Sequence, residues 1–448
     1  MAVMKIGNRF RNSDFCQVFN FRTEESKGCS MLLALNVLQA IGGAITSGAL
    51  YAAFLAENGI DIVRVGIISF IPYISWILSL FSPMVLAHIK NRKRALLINH
   101  VFFCVMVFLA TTIMPLLVED SLSKTIWFAV LLFIGYSSDA LIGSGTTAWT
   151  LHFIPKGRAL NVYVSYSNTL SNIMSTVTGI GGGVVATALA ASGNQLWFLF
   201  WLRILAFVLF LLSGLLILVV PKINFKNSEI QQVKPQHVIT KTLGYRPFLT
   251  IVILQVAWTM STALNGSTFT YYIVETVKAP LWCTYLGSVS GMLFSMLFLQ
   301  KLRKVMDRTS PFYIMTLFMI VFTCAEVLYV FVHPNTMPLF CALVTVSGVA
   351  SVGFNLGFGC LFYQHLPEGS NKDTFAVCWD LSRNMAALVG SVVGTWILAQ
   401  FEARGVLRLG DWTFYGSQMI CFIKIFCFGG VLMYVNGLRR RAPAKLST

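Results

Sequence analysis

Apolar residues run through this chain in long blocks, separated by short polar stretches where basic side chains collect. The blocks predict twelve membrane-spanning helices, because about 20 residues of apolar helix cover the hydrocarbon core of a bilayer. Six occupy approximately 31–55, 66–89, 95–118, 125–153, 162–190 and 196–220. Six more occupy approximately 248–274, 281–299, 311–332, 337–362, 374–401 and 415–435. Internal Gly and Pro are tolerated where neighbouring helices satisfy the freed backbone groups. The longest polar interruption, 221–246, divides the blocks into two sets.

The polar stretches alternate in charge. Beginning with the N-terminal tail, every second one is basic, as in Lys5, Arg9, Arg11, Arg22 and Lys27, then Lys90, Arg92, Lys93 and Arg94. These stretches hold about twenty-five Lys and Arg, against five (Arg64, Lys124, Lys278, Arg404, Arg408) in those between. Such an asymmetry places both termini in the cytosol. The expected organisation is a cytosolic tail (1–28), a six-helix bundle (29–220), a cytosolic linker (221–246), a second six-helix bundle (247–437) and a cytosolic tail (438–448). The linker, with Lys222, Lys226, Lys234, Lys241 and Arg246, reads as a tether between bundles.

Composition agrees. Of 448 residues, 56% are hydrophobic and 11% charged, with mean hydropathy +0.73; a soluble domain carries about 25% charged residues. A net charge of +16 would suggest a nucleic-acid partner in a soluble protein. Here the basic residues lie in loops that set topology, so none is expected. Most cysteines sit inside apolar runs and form no C-x-x-C pair or metal-ligand cluster. No G-x-x-x-x-G-K-[ST] segment is present to cradle a nucleotide phosphate. Neither a cofactor nor a metal is expected, and the first apolar run is long enough to remain as a span rather than serve as a cleaved signal.

The two sets match each other. A shift of 212 residues pairs Gly145 with Gly357, Pro155 with Pro367, Gly157 with Gly369 and Asn172 with Asn384. Gly179 and Gly183 answer to Gly390 and Gly394, and the lone cations Arg203 and Lys424 stand alike in the sixth and twelfth spans. Duplication of one bundle follows.

Twelve spans in two parallel halves joined by a basic loop resemble the major facilitator superfamily of secondary transporters. The Pro155-Lys156-Gly157-Arg158 turn is similar to the P-x-x-R-G type turn of many bacterial members. The loop Lys90-Asn91-Arg92-Lys93-Arg94 sits where the family carries G-x-x-x-D-R-x-G-R-[RK], although the family's Gly and Asp are missing. Asp307-Arg308 occupies the comparable loop of the second half. Gly179-Ile180-Gly181-Gly182-Gly183 lacks the Pro of the fifth-span motif of drug/proton antiporters, so it reads as close packing by small residues.

The resemblance implies an all-α integral membrane fold, two pseudo-symmetric six-helix bundles, with the first, fourth, seventh and tenth spans lining a central cavity. On the first, Asn36, Gln39, Gly43 and Thr46 share one helix face; on the seventh, Gln255, Thr259, Thr262 and Asn265 do, with Trp258 nearby. The fourth offers Asp139, Thr146 and Thr150, the tenth Ser351 and Asn355, and Tyr73 and Trp76 add aromatic surface. This lining suits a small polar or amphipathic solute; the same groups could instead bond only between packed helices.

Charges inside spans are functional candidates by default. Asp139 is either a coupling carboxylate for a proton or cation, or a structural partner of Arg203. Asp380 and Arg383, three apart, are either a gate or a structural pair. Glu326 and Lys424 read as a structural charge pair away from the cavity. The implied function is solute transport by alternating access, coupled to a proton or cation, by a monomeric non-enzyme of the cell membrane. A non-transporting sensor or chaperone of the same architecture, and a membrane-embedded lipid or acyl transferase, are the alternatives.

Overall fold

The computed structural model of the chain describes residues 18–19, 23–89, 91–143, 158–219, 242, 244–333, 336–365, 372–404, 407–409 and 412–441. Most of the linker, Thr146, Thr150 and the 155–157 turn lie outside them. Among the described residues twelve helices are long and apolar enough to cross a membrane: α1 Ser26–Glu57, α2 Ile62–Phe81, α3 Lys93–Leu117, α4 Ser121–Gly143, α5 Thr169–Ala190 and α6 Gln195–Leu216, then α7 Arg246–Thr276, α8 Leu281–Phe298, α9 Pro311–Tyr329, α10 Met337–Phe358, α11 Cys378–Ala403 and α12 Gly416–Arg440. The start of α1 and the end of α12 therefore lie on one face, the tail side; the opposite face is the far side. α5 and α11 are parts of longer helices, Arg158–Ala190 and Lys372–Arg404, each of 33 residues. At 1.5 Å per residue these reach about 50 Å, well past a 30 Å hydrocarbon core.

The packing repeats between halves. α1 lies against α5 and α6, α2 against α4, and α3 against α6. Correspondingly, α7 lies against α11 and α12, α8 against α10, and α9 against α12. Separate apolar cores hold each half. Phe54, Phe128 and Leu132 belong to the first, and Met315, Phe354 and Phe428 to the second.

Two spans are broken at matching places. α1 changes course at Ser47, which is extended (φ −135°), followed by Gly48 at φ +61°, a conformation that side chains with a Cβ resist. α7 breaks at Asn265, φ −133° and ψ 19°. Its Nδ2 donates to Ser417 O (3.0 Å) and reaches Cys421 Sγ (3.2 Å), while its Oδ1 accepts from Thr268 Oγ1 (2.9 Å). The amide thus fastens the break to α12. Ser-Gly and Asn-Gly are turn-prone dipeptides, so the breaks have a signal in the sequence.

On the far side the link from α11 to α12 carries a small antiparallel ribbon, β1 Leu407–Leu409 with β2 Trp412–Phe414, Arg408 facing Thr413. The otherwise helical reading missed it, although alternating apolar residues flank a Gly-Asp pair in the sequence.

The halves meet closely on the far side. Gly66 of α2 faces Thr395 of α11, where an added Cβ would come within 2.5 Å of Oγ1. Gly183 of α5 lies against the Trp282 and Leu281 backbone, and Gly179 against the Tyr285 ring. Thr187 Oγ1 accepts from Leu281 N at 3.2 Å, and the Tyr285 hydroxyl donates to Ala44 O at 3.4 Å. The glycine run therefore packs as expected, but across the interface between halves. Its counterparts differ: Gly390 and Gly394 let α11 approach the α7 backbone at Met260 and Leu264 within one half.

Arg203 is buried in the first half with no carboxylate in ion-pair range among the described residues. Its Nε donates to Thr112 Oγ1 (2.9 Å) and its Nη2 to Thr111 Oγ1 (2.8 Å). The guanidinium also sits over the Phe54 and Tyr51 rings, 4.6 and 5.2 Å from their centroids, a cation–π arrangement. Its Nη1 has no partner. Thr111→Val is expected to destabilise the protein by about 1–3 kcal/mol, since it strands a second buried donor. Arg203→Met removes the charge together with its desolvation cost and is expected to be milder. Thermal denaturation in detergent ranks the two.

Candidate functional site

The first-span stripe is partly used up by packing. Asn36 Nδ2 donates to Ser167 Oγ on α5 at 3.0 Å, and Thr46 Oγ1 bonds back to Gly42 O at 2.9 Å. Gln39 is half-buried and makes no hydrogen bond. An added Cβ at Gly43, one turn on, would meet open space. The part of this face left free of packing is therefore Gln39 with the gap beside Gly43.

α7 departs most from its sequence reading. Trp258, expected at the cavity, stacks on Phe354 with centroids 3.9 Å apart and packs against Phe322 and Phe428. It belongs to the core of the second half. Asn265, also expected there, is the buried fastener of the helix break. Gln255 is buried with Oε1 unpaired, and Thr262 bonds to Thr259 O of its own helix at 3.0 Å. Thr259 keeps a free hydroxyl in a half-buried position. Helical spacing gathers residues on a face but does not say whether that face meets solvent or a neighbour.

On α10, Gly353 and Gly357 pack against Phe318 and Met315 of α9. Asn355, two residues from each, points roughly the opposite way at 100° per residue, and it is exposed and unbonded. Ser351 Oγ bonds to Gly348 O at 2.9 Å.

Asp139 opens a short π-helical turn, Asp139–Gly143, that ends the described part of α4. Its side chain lies opposite the exposed residues Ile126, Val130, Phe133 and Ile134, and so turns inward toward α2 and α3. A Cβ on Gly143 would collide with its carboxylate, and Asn99 stands beside the same space. Among the described residues Asp139 makes no hydrogen bond or ion pair. One neighbouring polar atom, Asn99 Nδ2, is buried without a partner, whereas Ser138 Oγ donates to Asn99 Oδ1. The structural alternative, pairing with Arg203, is not made. Asn99 and Ser138 escaped the sequence reading; a pair of serines ending an apolar run beside an aspartate was the available signal.

Asp380 and Arg383 form a loose pair, Nη2 to Oδ1 3.8 Å, with side chains 51% and 56% exposed. They lie opposite the exposed Val389, Val392 and Trp396 on α11, so their exposure is toward space between the halves. Arg383 is within electrostatic reach of Tyr73 on α2. Tyr73 and Trp76 are half-buried and make no side-chain hydrogen bond. The pair and the α2 aromatics thus share one region near the tail side.

Lys424 Nζ and Glu326 Oε1 pair at 3.0 Å, with side chains 12% and 5% exposed. The expected charge pair is present, inside the second half.

No family model and no curated protein matches the sequence. Solved structures match along almost the whole chain. A single-substitution mutant of the nucleoside transporter NupG superposes with a TM-score of 0.65 at 13% identity, over 92% of this chain and 99% of that one. A bacterial homologue of the iron transporter ferroportin, in its inward-facing state, superposes with a TM-score of 0.66 at 15% identity, over 92% and 98%. The chain has the major facilitator fold. Within that fold the repeated helix packing and the far-side contacts between halves are the two bundles and the seam between them. A bacterial ferroportin homologue in the outward-facing state fits less well, with a TM-score of 0.58 at 15% identity, over 92% of this chain and 100% of that one. At these identities the likeness is one of fold, and a solute has to be argued from the site.

Proposed function

We propose that this major facilitator fold is a secondary active transporter for a small polar or amphipathic organic solute. Solute binds between the halves, at Gln39, Thr259 and Asn355, and Asp139 is the carboxylate through which a proton or cation drives the cycle. The observation that carries this reading is Asp139 itself, an inward-turned carboxylate within a span with no partner among the described residues. An ionisable group in that setting is costly to retain for structure alone.

The state described is one of two. Gly66, Gly179 and Gly183 support closure on the far side, and the exposed Asp380 and Arg383 support an opening on the tail side. Basic loops assign the tail side to the cytosol, so the solute would leave to, or enter from, the cytosol in this state. The better superposition on an inward-facing structure than on an outward-facing one supports the same assignment. Asp380 and Arg383 then act at the cytosolic mouth, meeting Tyr73 when it shuts. The cell membrane is the proposed location, with both tails in the cytosol.

Thermal-shift screening of the purified protein against nucleosides, sugars, organic acids and amines tests the binding site. At least one class is expected to raise Tm by several degrees, with the shift reduced in Gln39→Leu and Asn355→Leu. A solute whose stabilisation ignores both substitutions would place the site elsewhere.

A further inference from the structure

The second half holds a half-open pocket that the proposed central site does not use. It has a volume of about 230 Å³ and is walled by α7, α8, α9, α10 and α12, all of one bundle. The Glu326–Lys424 pair forms part of its lining, as do Ser347, Tyr329 and the rings of Phe269 and Phe340.

Neither member of the pair is used up by the other. Glu326, 4% exposed, gives Oε1 to Lys424 and leaves Oε2 without a partner. Lys424 spends one of its three N–H donors on that bond, and its ammonium lies 5.6 Å from the Phe428 centroid. Ser347 Oγ is buried beside the Tyr329 hydroxyl but outside hydrogen-bonding geometry, and has no partner either. A buried ion pair repays its desolvation only when its remaining lone pairs and protons are also bonded. Here the unused acceptor and the unused donors line one small chamber.

The balance of charge selects the occupant. A simple cation would be attracted by Glu326 and repelled by Lys424; a simple anion meets the reverse. A molecule carrying both a donor group and an acceptor group satisfies both at once. The volume is below the roughly 300–1,000 Å³ of pockets for drug-sized ligands, and the aromatic walls suit an apolar side group. We propose that this chamber is a second binding site, within the second half, for a small zwitterion of amino-acid size. Its ammonium would donate to Glu326 Oε2 and Ser347 Oγ, and its carboxylate would accept from Lys424 Nζ. The site is separate from the central one and does not depend on the chain being a carrier.

The test is thermal shift of the full-length protein in detergent with each of the proteinogenic amino acids. Ammonium chloride and sodium acetate serve as singly charged controls. One or more zwitterions are expected to raise Tm by several degrees at millimolar concentration, with the two salts inactive at equal strength. Ser347→Val removes a hydroxyl with no protein partner, so it is expected to fold normally and to weaken binding about tenfold. Ser347→Phe fills the chamber and is expected to abolish the shift. Gln39→Leu, at the central site, should leave the shift unchanged. The proposal is overturned if no amino acid stabilises the protein, or if ammonium or acetate alone does so equally well. It also fails if the shift persists in both Ser347 variants, or is lost in Gln39→Leu while they retain it. Those last results would place the ligand between the halves or on the surface.

Discussion

Leucine in place of Gly183 is expected to hold the far side of the protein open. A Cβ at this position would lie 2.8 Å from Trp282 N, 3.0 Å from its Cα and 3.1 Å from the carbonyl carbon of Leu281. These are backbone atoms, which cannot rotate away, so α5 and α8 must separate. Overpacking of this kind costs about 1–3 kcal/mol for a few added methylenes. A bias of that size shifts an equilibrium between two states by about 5- to 150-fold. Gly181 in the same run has open space where its Cβ would be, and Gly181→Leu is expected to do nothing. Spin labels at Ser192 and Lys278, at the far ends of α5 and α8, read the outcome on an otherwise cysteine-free background. The distance between them should lengthen in Gly183→Leu and stay unchanged in Gly181→Leu. Equal behaviour of the two variants would show that the glycine contact does not govern the seam.

Asp139→Asn is expected to abolish accumulation of solute against its gradient while leaving passive exchange partly intact. The carboxylate has room made for it by Gly143 and is bonded to nothing that the substitution would disturb. An amide fits the same space, so the loss should be of coupling rather than of folding. Gly143→Ala is a second way to the same result, because its methyl group would displace the carboxylate. In proteoliposomes with an imposed proton gradient, the wild type should concentrate the solute and Asp139→Asn should only equilibrate it. Unchanged uphill uptake by Asp139→Asn would remove the residue from the coupling role.

Much of the architecture was legible because a bilayer imposes simple rules of length and charge. The spans follow from apolar runs, and their grouping from matched features such as Asn172 with Asn384. The pairing of Glu326 with Lys424 was legible too, since both sit near the far-side ends of neighbouring spans. Depth also explains what went unread about Asp139. It lies 18 residues from the far-side start of α4, whereas Arg203 lies 8 from the far-side start of α6. At 1.5 Å per residue the two differ by about 15 Å in depth, too far to pair. Trp258 shows a different limit. Its spacing set it beside a polar stripe, but an aromatic residue there can turn into the core when Phe354 offers a stacking surface. The interface role of Gly179 and Gly183 was unreadable for the same reason, since small residues signal close approach without naming the partner. The chamber around Glu326 needed five helices at once, and no spacing along one helix could reveal it.

Counterflow tests the central claim most directly. Purified protein in liposomes preloaded with unlabelled solute should draw labelled solute inward, without chemical change, for a compound that stabilises it in the thermal screen. Failure of the folded protein to exchange any stabilising solute would contradict a carrier and leave a binding or sensing protein on the same fold.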